Sequence, residues 1–177
     1  LTASRIEGFM ELEPSAALDA ETKIAEAPGD HKAELRLWLR LLATNTLIET
    51  EIRRRLRERF DVTLPRFDLM AQLERKPHGM TLGELSQRMM VTNGNVTGLV
   101  DRLLAEEVIS RRQHKSDRRS HIVSLTEKGR RQFARMAKEH ESWIAEMFAG
   151  LSQSDVAALT GMLGKLKTGV RAALAGA

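Results

Sequence analysis

From residue 31 to residue 60, apolar side chains recur mostly three or four positions apart: Leu35, Trp38, Leu42, Ile48, Ile52, Leu56 and Phe60. That spacing predicts a long helix with one apolar face. Pro65 suits the first turn of a second, short helix, where its missing N–H costs nothing. Phe67, Met70 and Leu73 give that helix its inner face, and Pro77-His78-Gly79 closes it. Thr81-Leu82-Gly83-Glu84 has the pattern of a capping box. A third helix is therefore expected from about Leu82 to Met90, burying Leu82, Leu85 and Met89. After the break at Val91-Thr92-Asn93-Gly94, with Thr92 or Asn93 as the cap, Val96, Leu99, Val100 and Leu103 mark a fourth helix over Asn93–Glu107.

The pattern then changes period. Val108–His114 and His121–Leu125 read as two strands joined by the charged tip Lys115-Ser116-Asp117-Arg118-Arg119-Ser120, with Val123 and Leu125 on one face. Thr126-Glu127 caps a long helix striped by Phe133, Met136, His140, Trp143, Met147 and Leu151. Ser152 and Asp155 form a second capping box. It opens a last helix striped by Val156, Leu159, Leu163, Leu166 and Val170. A row of small residues, Ala157, Gly161, Gly164 and Thr168, runs beside that stripe. Glycine weakens a helix interior, so Gly161 and Gly164 point either to close approach of another helix or to a weak C-terminal helix. Residues 1–30 lack strong periodicity and read as an extension ending at Pro28-Gly29-Asp30.

Short helix, turn, helix and hairpin in this order make a winged helix-turn-helix. The second helix of such a unit lies in the major groove of DNA, and its N-terminal residues meet base edges. Charge supports a polyanion partner. The chain carries +4 overall, but residues 1–30 hold seven acids against Arg5 and Lys23, so the remaining 147 residues hold +9. Ten Lys/Arg face four acids between Arg102 and Arg135. Alone, such a surplus is equally well a solvated charged face.

The absence of cysteine removes disulfides, thiol redox sensing and thiolate metal ligation. The five histidines, His31, His78, His114, His121 and His140, show no metal-ligand spacing. No phosphate-cradling glycine loop, HExxH motif or nucleophile elbow is present. An enzyme and a resident cofactor or metal are therefore not expected. With no long apolar run and no signal-like start, a cytoplasmic, non-membrane protein is the expectation.

Two stretches carry a family resemblance: Asn95-Val96-Thr97-Gly98-Leu99-Val100-Asp101-Arg102-Leu103 leading to Glu107-Val108-Ile109-Ser110-Arg111, and Asp117-Arg118-Arg119-Ser120-His121-Ile122-Val123-Ser124-Leu125-Thr126. Together with the element order over residues 33–175, they resemble the MarR family. The resemblance implies a mainly α fold: a winged helix-turn-helix over 63–126, set between long N- and C-terminal helices (31–62 and 127–177) that form the dimerisation region. It also implies a homodimer on a pseudo-palindromic double-stranded operator, mostly as a repressor, with a small aromatic effector in a crevice beside the dimer helices. Leu37–Leu42, Ile52–Arg57 and Thr63–Asp68 resemble members that control aromatic-acid or hydroxycinnamate catabolism, some of which respond to aryl-CoA thioesters.

The candidate DNA contacts are Thr92, Asn93, Asn95, Thr97 and Arg102 around the recognition helix, and Arg111, Lys115, Asp117, Arg118 and Arg119 on the wing. Asn suits adenine, Arg suits guanine and Thr can touch a thymine methyl. Asp101 is expected to order Arg102 or a neighbour. Arg118 or Arg119 is placed for the minor groove. By resemblance Arg119 is the family's patterned wing arginine and Asp117 its structural partner, while Arg111, Arg112 and Lys115 suit phosphates. Trp38, Arg40, Arg66, Met70, His140 and Trp143 are the candidate ligand residues, although His140 and the tryptophans read equally as core. For a CoA thioester, Arg36, Arg40 or the Arg53–Arg59 cluster would meet the phosphates, unless those arginines form a solvated face or dimer ion pairs. The alternative function is a constitutive or architectural DNA-binding protein without an effector. Loss of operator binding with an aromatic acid separates the two.

Overall fold

A computed structural model describes residues 33–113 and 121–176. Its elements, in chain order, are α1 (Ala33–Phe60), α2 (Leu64–Glu74), β1 (Met80–Thr81), α3 (Leu82–Met89), α4 (Asn93–Ala105), β2 (Ile109–Gln113), β3 (His121–Leu125), α5 (Glu127–Met147) and α6 (Gln153–Ala175). The fold is mainly α with one small antiparallel sheet, in the order β1-β3-β2. The chain divides into two compact units within α5, between Lys138 and Glu139.

The first unit is built on the apolar positions picked out by the periodicity. Leu56, Met70, Leu73, Leu85, Val96, Val100, Leu103 and Val123 are all buried, and Leu69, outside that pattern, is buried with them. Phe67 meets Phe133 with ring centroids 5.5 Å apart, joining α2 to the start of α5. The two strands of the hairpin pair Ile109 with Leu125 and Arg111 with Val123. The strand β1 pairs Met80 with Val123 on the other side of β3.

Local chemistry sets the joints. Pro65 falls in the first turn of α2. Gly79 turns the chain into β1 at φ 81°, where a Cβ would lie 2.4 Å from the Val123 carbonyl oxygen. The Thr81 hydroxyl accepts from the Glu84 N–H at 3.2 Å, and the Thr81 N–H donates to Glu84 Oε2 at 2.7 Å. That backbone donor, with the Thr81 hydroxyl, holds the Glu84 carboxyl below the usual glutamate range. α3 ends one residue earlier than expected, because Met90 takes a left-handed conformation at φ 54° and stops it. Leu82 and Met89 are half-buried, and only Leu85 of the expected three is fully enclosed. At the other joint, the Thr126 hydroxyl donates to the Glu107 carbonyl at 2.8 Å and accepts from the Gly129 N–H at 3.0 Å. α5 approaches so closely there that a Cβ on Gly129 would sit 2.0 Å from the Val108 carbonyl oxygen.

The N-terminal half of α1 leaves Leu35, Leu37, Trp38 and Leu42 in solvent, whereas Ile52 and Leu56 near its other end are buried. Three arginines of its cluster are paired along the helix itself. Arg54 bonds Glu51 at 2.7 Å and Glu58 at 2.6 Å, Arg55 bonds Glu51 at 2.5 Å, and Arg53 faces Glu49 at 3.6 Å. Arg54 and Arg55 hold the Glu51 carboxyl down to about 2.

In the second unit, Ser152 and Asp155 form the expected capping box. Every described residue of α6 is exposed, including the whole stripe Val156, Leu159, Leu163, Leu166 and Val170. Beyond the helix's own backbone, no described atom lies within 4 Å of where a Cβ would stand on Gly161 or Gly164. No helix of the described residues is long and apolar enough to cross a membrane.

Candidate nucleic-acid interface

The helix α4 turns three buried side chains, Val96, Val100 and Leu103, toward the first unit's core, with Leu99 half-buried beside them. At 100° per residue, the opposite face has Gly98 and Asp101 at its centre, Asn95 and Arg102 along one edge and Thr97 along the other. All five are exposed, as are Thr92 and Asn93 at the entry to the helix. Thr92 is the N-cap, but its side chain makes no capping bond. Its hydroxyl and the first amides of α4 therefore remain available to an anion. Thr97 donates its hydroxyl to the Asn93 carbonyl at 2.9 Å, so its methyl group and an oxygen lone pair are what it offers outward.

Asp101 does not order Arg102. Adjacent residues of a helix do not face one another, and neither side chain has an intramolecular partner among the described residues. Asp101 instead stands at the middle of the outer face as an acceptor.

On β2, Arg111 and Arg112 project to opposite faces of the sheet, since strand side chains alternate. Arg111 is exposed and shares its face with Val123. Arg112 donates Nη2 to the His78 carbonyl at 2.8 Å and so ties the strand to the turn before β1. That tether was not legible in the sequence, because its acceptor is a backbone oxygen 34 residues away. Lys115, Asp117, Arg118 and Arg119 lie outside the described residues.

The candidate ligand residues fall in both units. In the first unit, Trp38 and Arg40 are exposed on α1, and Met70 is fully enclosed in the core. Arg66 grips Glu106 with both terminal nitrogens: Nη1 donates to Oε1 at 2.7 Å and Nη2 to Oε2. The bond is important because Glu106 is the C-cap of α4. The Glu106 carbonyl also accepts from Lys128 Nζ at 2.9 Å. The far end of α4 is thus held from α2 and from α5. Arg66 Nε is buried without an acceptor. In the second unit, Trp143 is buried and His140 half-buried. Burial holds the His140 imidazole below the usual histidine range. Among the described residues, no group of three His, Asp or Glu is placed to hold a metal.

Helix, turn, exposed-faced helix and two-stranded hairpin, backed by a third short strand, define a winged helix-turn-helix protein. The MarR family model matches residues 62–121. The HTH-type transcriptional repressor YetL of Bacillus subtilis is 32% identical over 98 residues, which span 55% of this chain and 59% of YetL. An HTH-type transcriptional regulator of Bacillus cereus is 31% identical over 113 residues, 63% of this chain and 73% of that protein. Among solved structures, AbsC, a MarR family transcriptional regulator from Streptomyces coelicolor, superposes with a TM-score of 0.70 at 20% identity, covering 82% of this chain and 99% of AbsC. A mutant MarR from E. coli complexed with operator DNA gives 0.67 at 23% identity, covering 78% and 99%. The chain belongs to the MarR family of transcriptional regulators.

Proposed function

We propose that the protein is a homodimeric, sequence-specific DNA-binding transcriptional regulator that acts as a repressor and is released by a small aromatic acid or its CoA thioester. The observation that carries this reading is the outer face of α4. Four of the five exposed residues there, Asn95, Thr97, Asp101 and Arg102, entered through Thr92 and Asn93, present the donors and acceptors that base edges require. Asn95 suits adenine, Arg102 guanine and Asp101 the amino group of cytosine, while Thr97 keeps its methyl group for thymine. Arg111 on β2 and the basic wing tip supply phosphate contacts, which position the helix without reading sequence. The repressor YetL and the operator-bound MarR support the same reading.

Dimerisation is supported by α6. A 23-residue helix with a continuous apolar stripe and no buried residue needs a cover, and a second copy of the chain offers a matching one. A two-fold dimer would set its recognition helices against successive major grooves, about 34–36 Å apart.

For the effector, the relevant feature is the grip of Arg66 on Glu106. An anionic ligand competing for Arg66 would free the C-cap of the recognition helix. Nε of Arg66, buried without an acceptor, offers it one more donor. Such a ligand shifts the equilibrium only as far as it prefers the released state.

The test is an electrophoretic shift on duplex DNA from upstream of the protein's own gene, with equilibrium sedimentation alongside. The expected result is a dimer that retards this DNA and loses it as benzoate, a hydroxycinnamate or a CoA thioester of either is added. Retention of DNA in the presence of every such compound would leave a constitutive binder.

A further inference from the structure

From residue 48 to residue 150, the described chain leaves only two large apolar side chains exposed, and they are neighbours: Met90, 92% exposed, and Val91, 38% exposed. All the others lie on α1 between Leu35 and Leu47 or from Leu151 onward. Apolar residues scattered singly over a surface are ordinary. This pair is adjacent and forms the turn between α3 and α4, leading directly into Thr92 and Asn93.

Met90 is also in an unfavourable backbone conformation. It caps α3 at φ 54°, with its N–H donating to the Ser86 carbonyl. Glycine is the usual residue at such a left-handed cap, because a Cβ is penalised there. Two other non-glycine residues in the described chain have positive φ, Asp61 and Glu107. Both are exposed acids, whose side chains belong in water. Met90 alone joins a left-handed backbone to an apolar side chain presented almost whole to solvent. Glycine would relieve the backbone and a polar residue would suit the water, so the fold gains nothing evident from methionine. A local cost retained at a surface position points to a contact outside the chain.

Resting on the DNA-binding reading above, we propose that Met90, backed by Val91, determines sequence by packing on the 5-methyl group of a thymine in the major groove. The thymine lies beside the bases met by Asn93 and Asn95. The start of a recognition helix is the part that reaches base edges, and the turn is continuous with it. On the major-groove edges of the four base pairs the one apolar feature is the thymine methyl. Methionine is long, unbranched and polarizable, so it can follow the groove floor. A β-branched residue at this φ would be a true outlier.

The experiment uses the full-length protein. Duplexes are selected from a random pool by the wild-type protein, and each thymine of the selected half-site is replaced in turn by deoxyuridine, which lacks only the methyl group. One thymine per half-site should stand out, with affinity falling about fourfold for each methyl removed. Met90→Gly should bind the thymine operator more weakly by at least that factor and be indifferent to deoxyuridine at that position. It should also melt at or above the wild-type temperature, which shows that the loss is not one of folding. Equal sensitivity of wild-type and Met90→Gly protein to deoxyuridine overturns the contact, as does a flat deoxyuridine profile for the wild-type protein. Failure of the wild-type protein to select any sequence overturns the DNA-binding reading and this contact with it.

Discussion

Replacing Glu106 with glutamine tests how firmly the recognition helix is fixed at its C-terminal end. The change keeps the shape of the side chain and one acceptor oxygen, and removes the charge that Arg66 grips with two nitrogens. The environment sets the size of the effect. The Arg66 side chain is 17% exposed and that of Glu106 45%. A fully exposed ion pair is worth ~0.2–1 kcal/mol, and breaking a buried one costs ~3–5 kcal/mol. A bidentate pair with one partner mostly buried and the other half in water falls between, at about 1–2 kcal/mol. For a chain of this size that corresponds to a fall in Tm of about 2–8 °C at fixed protein concentration. Thermal unfolding followed by circular dichroism reads it directly. A double-mutant cycle with Arg66→Met separates the pair from the rest of each side chain. Operator affinity should fall further than stability predicts, because a loosened C-cap lets α4 lean within the groove. The reasoning is refuted if Glu106→Gln matches the wild type in both Tm and affinity, since the pair would then be a solvated contact with no hold on the helix.

Three further outcomes follow from other parts of the molecule. Gly129→Ala brings a Cβ within 2.0 Å of a backbone oxygen that cannot rotate away. A loss of about 3 kcal/mol or more is expected in urea unfolding, whereas Gly161→Ala, which meets nothing within the described chain, should lose stability only if a partner helix packs there. Leu163→Asp on the exposed stripe of α6 should sediment as a monomer while keeping its helical circular dichroism; an unchanged dimer would place the interface elsewhere. His140 is held below its usual range by burial, so the unfolded chain binds its proton more readily than the folded one. Its contribution is complete above the unfolded value of about 6.5 and declines as pH falls through and below it; His140→Gln should flatten that part of a stability–pH curve.

The helices were legible because each carries its own signal. Thr81/Glu84 and Ser152/Asp155 announce starts, and the spacing of Val96, Val100 and Leu103 identifies the inner face of α4. The outer face followed by subtraction. Pairwise chemistry was less accessible. The charge surplus between Arg102 and Arg135 suggested a broad basic footprint, yet several of its cations are used internally. Lys128 bonds the Glu106 carbonyl, Arg112 the His78 carbonyl and Arg130 the Leu125 carbonyl at 3.0 Å. A backbone acceptor leaves no trace in residue identity, so composition cannot separate such a cation from one that waits for a phosphate. By sequence Arg66 reads as a ligand residue, while its carboxylate partner lies 40 residues away along the chain. Met90 is silent in the sequence for the opposite reason: its meaning lies in a backbone angle and an exposure that periodicity does not encode.

Thr81 is at once the last residue of β1 and the N-cap of α3, and Thr126 joins β3 to α5 with no spacer. The sheet therefore runs into α3 and into α5 without a linker. Only Glu106, Glu107 and Val108 separate α4 from β2. On the proposed reading of DNA, the step from one groove contact to the next is then set by the protein. A duplex whose groove widths depart from that step has to deform to meet it, so stiff and pliant DNA with the same contacted bases would be told apart.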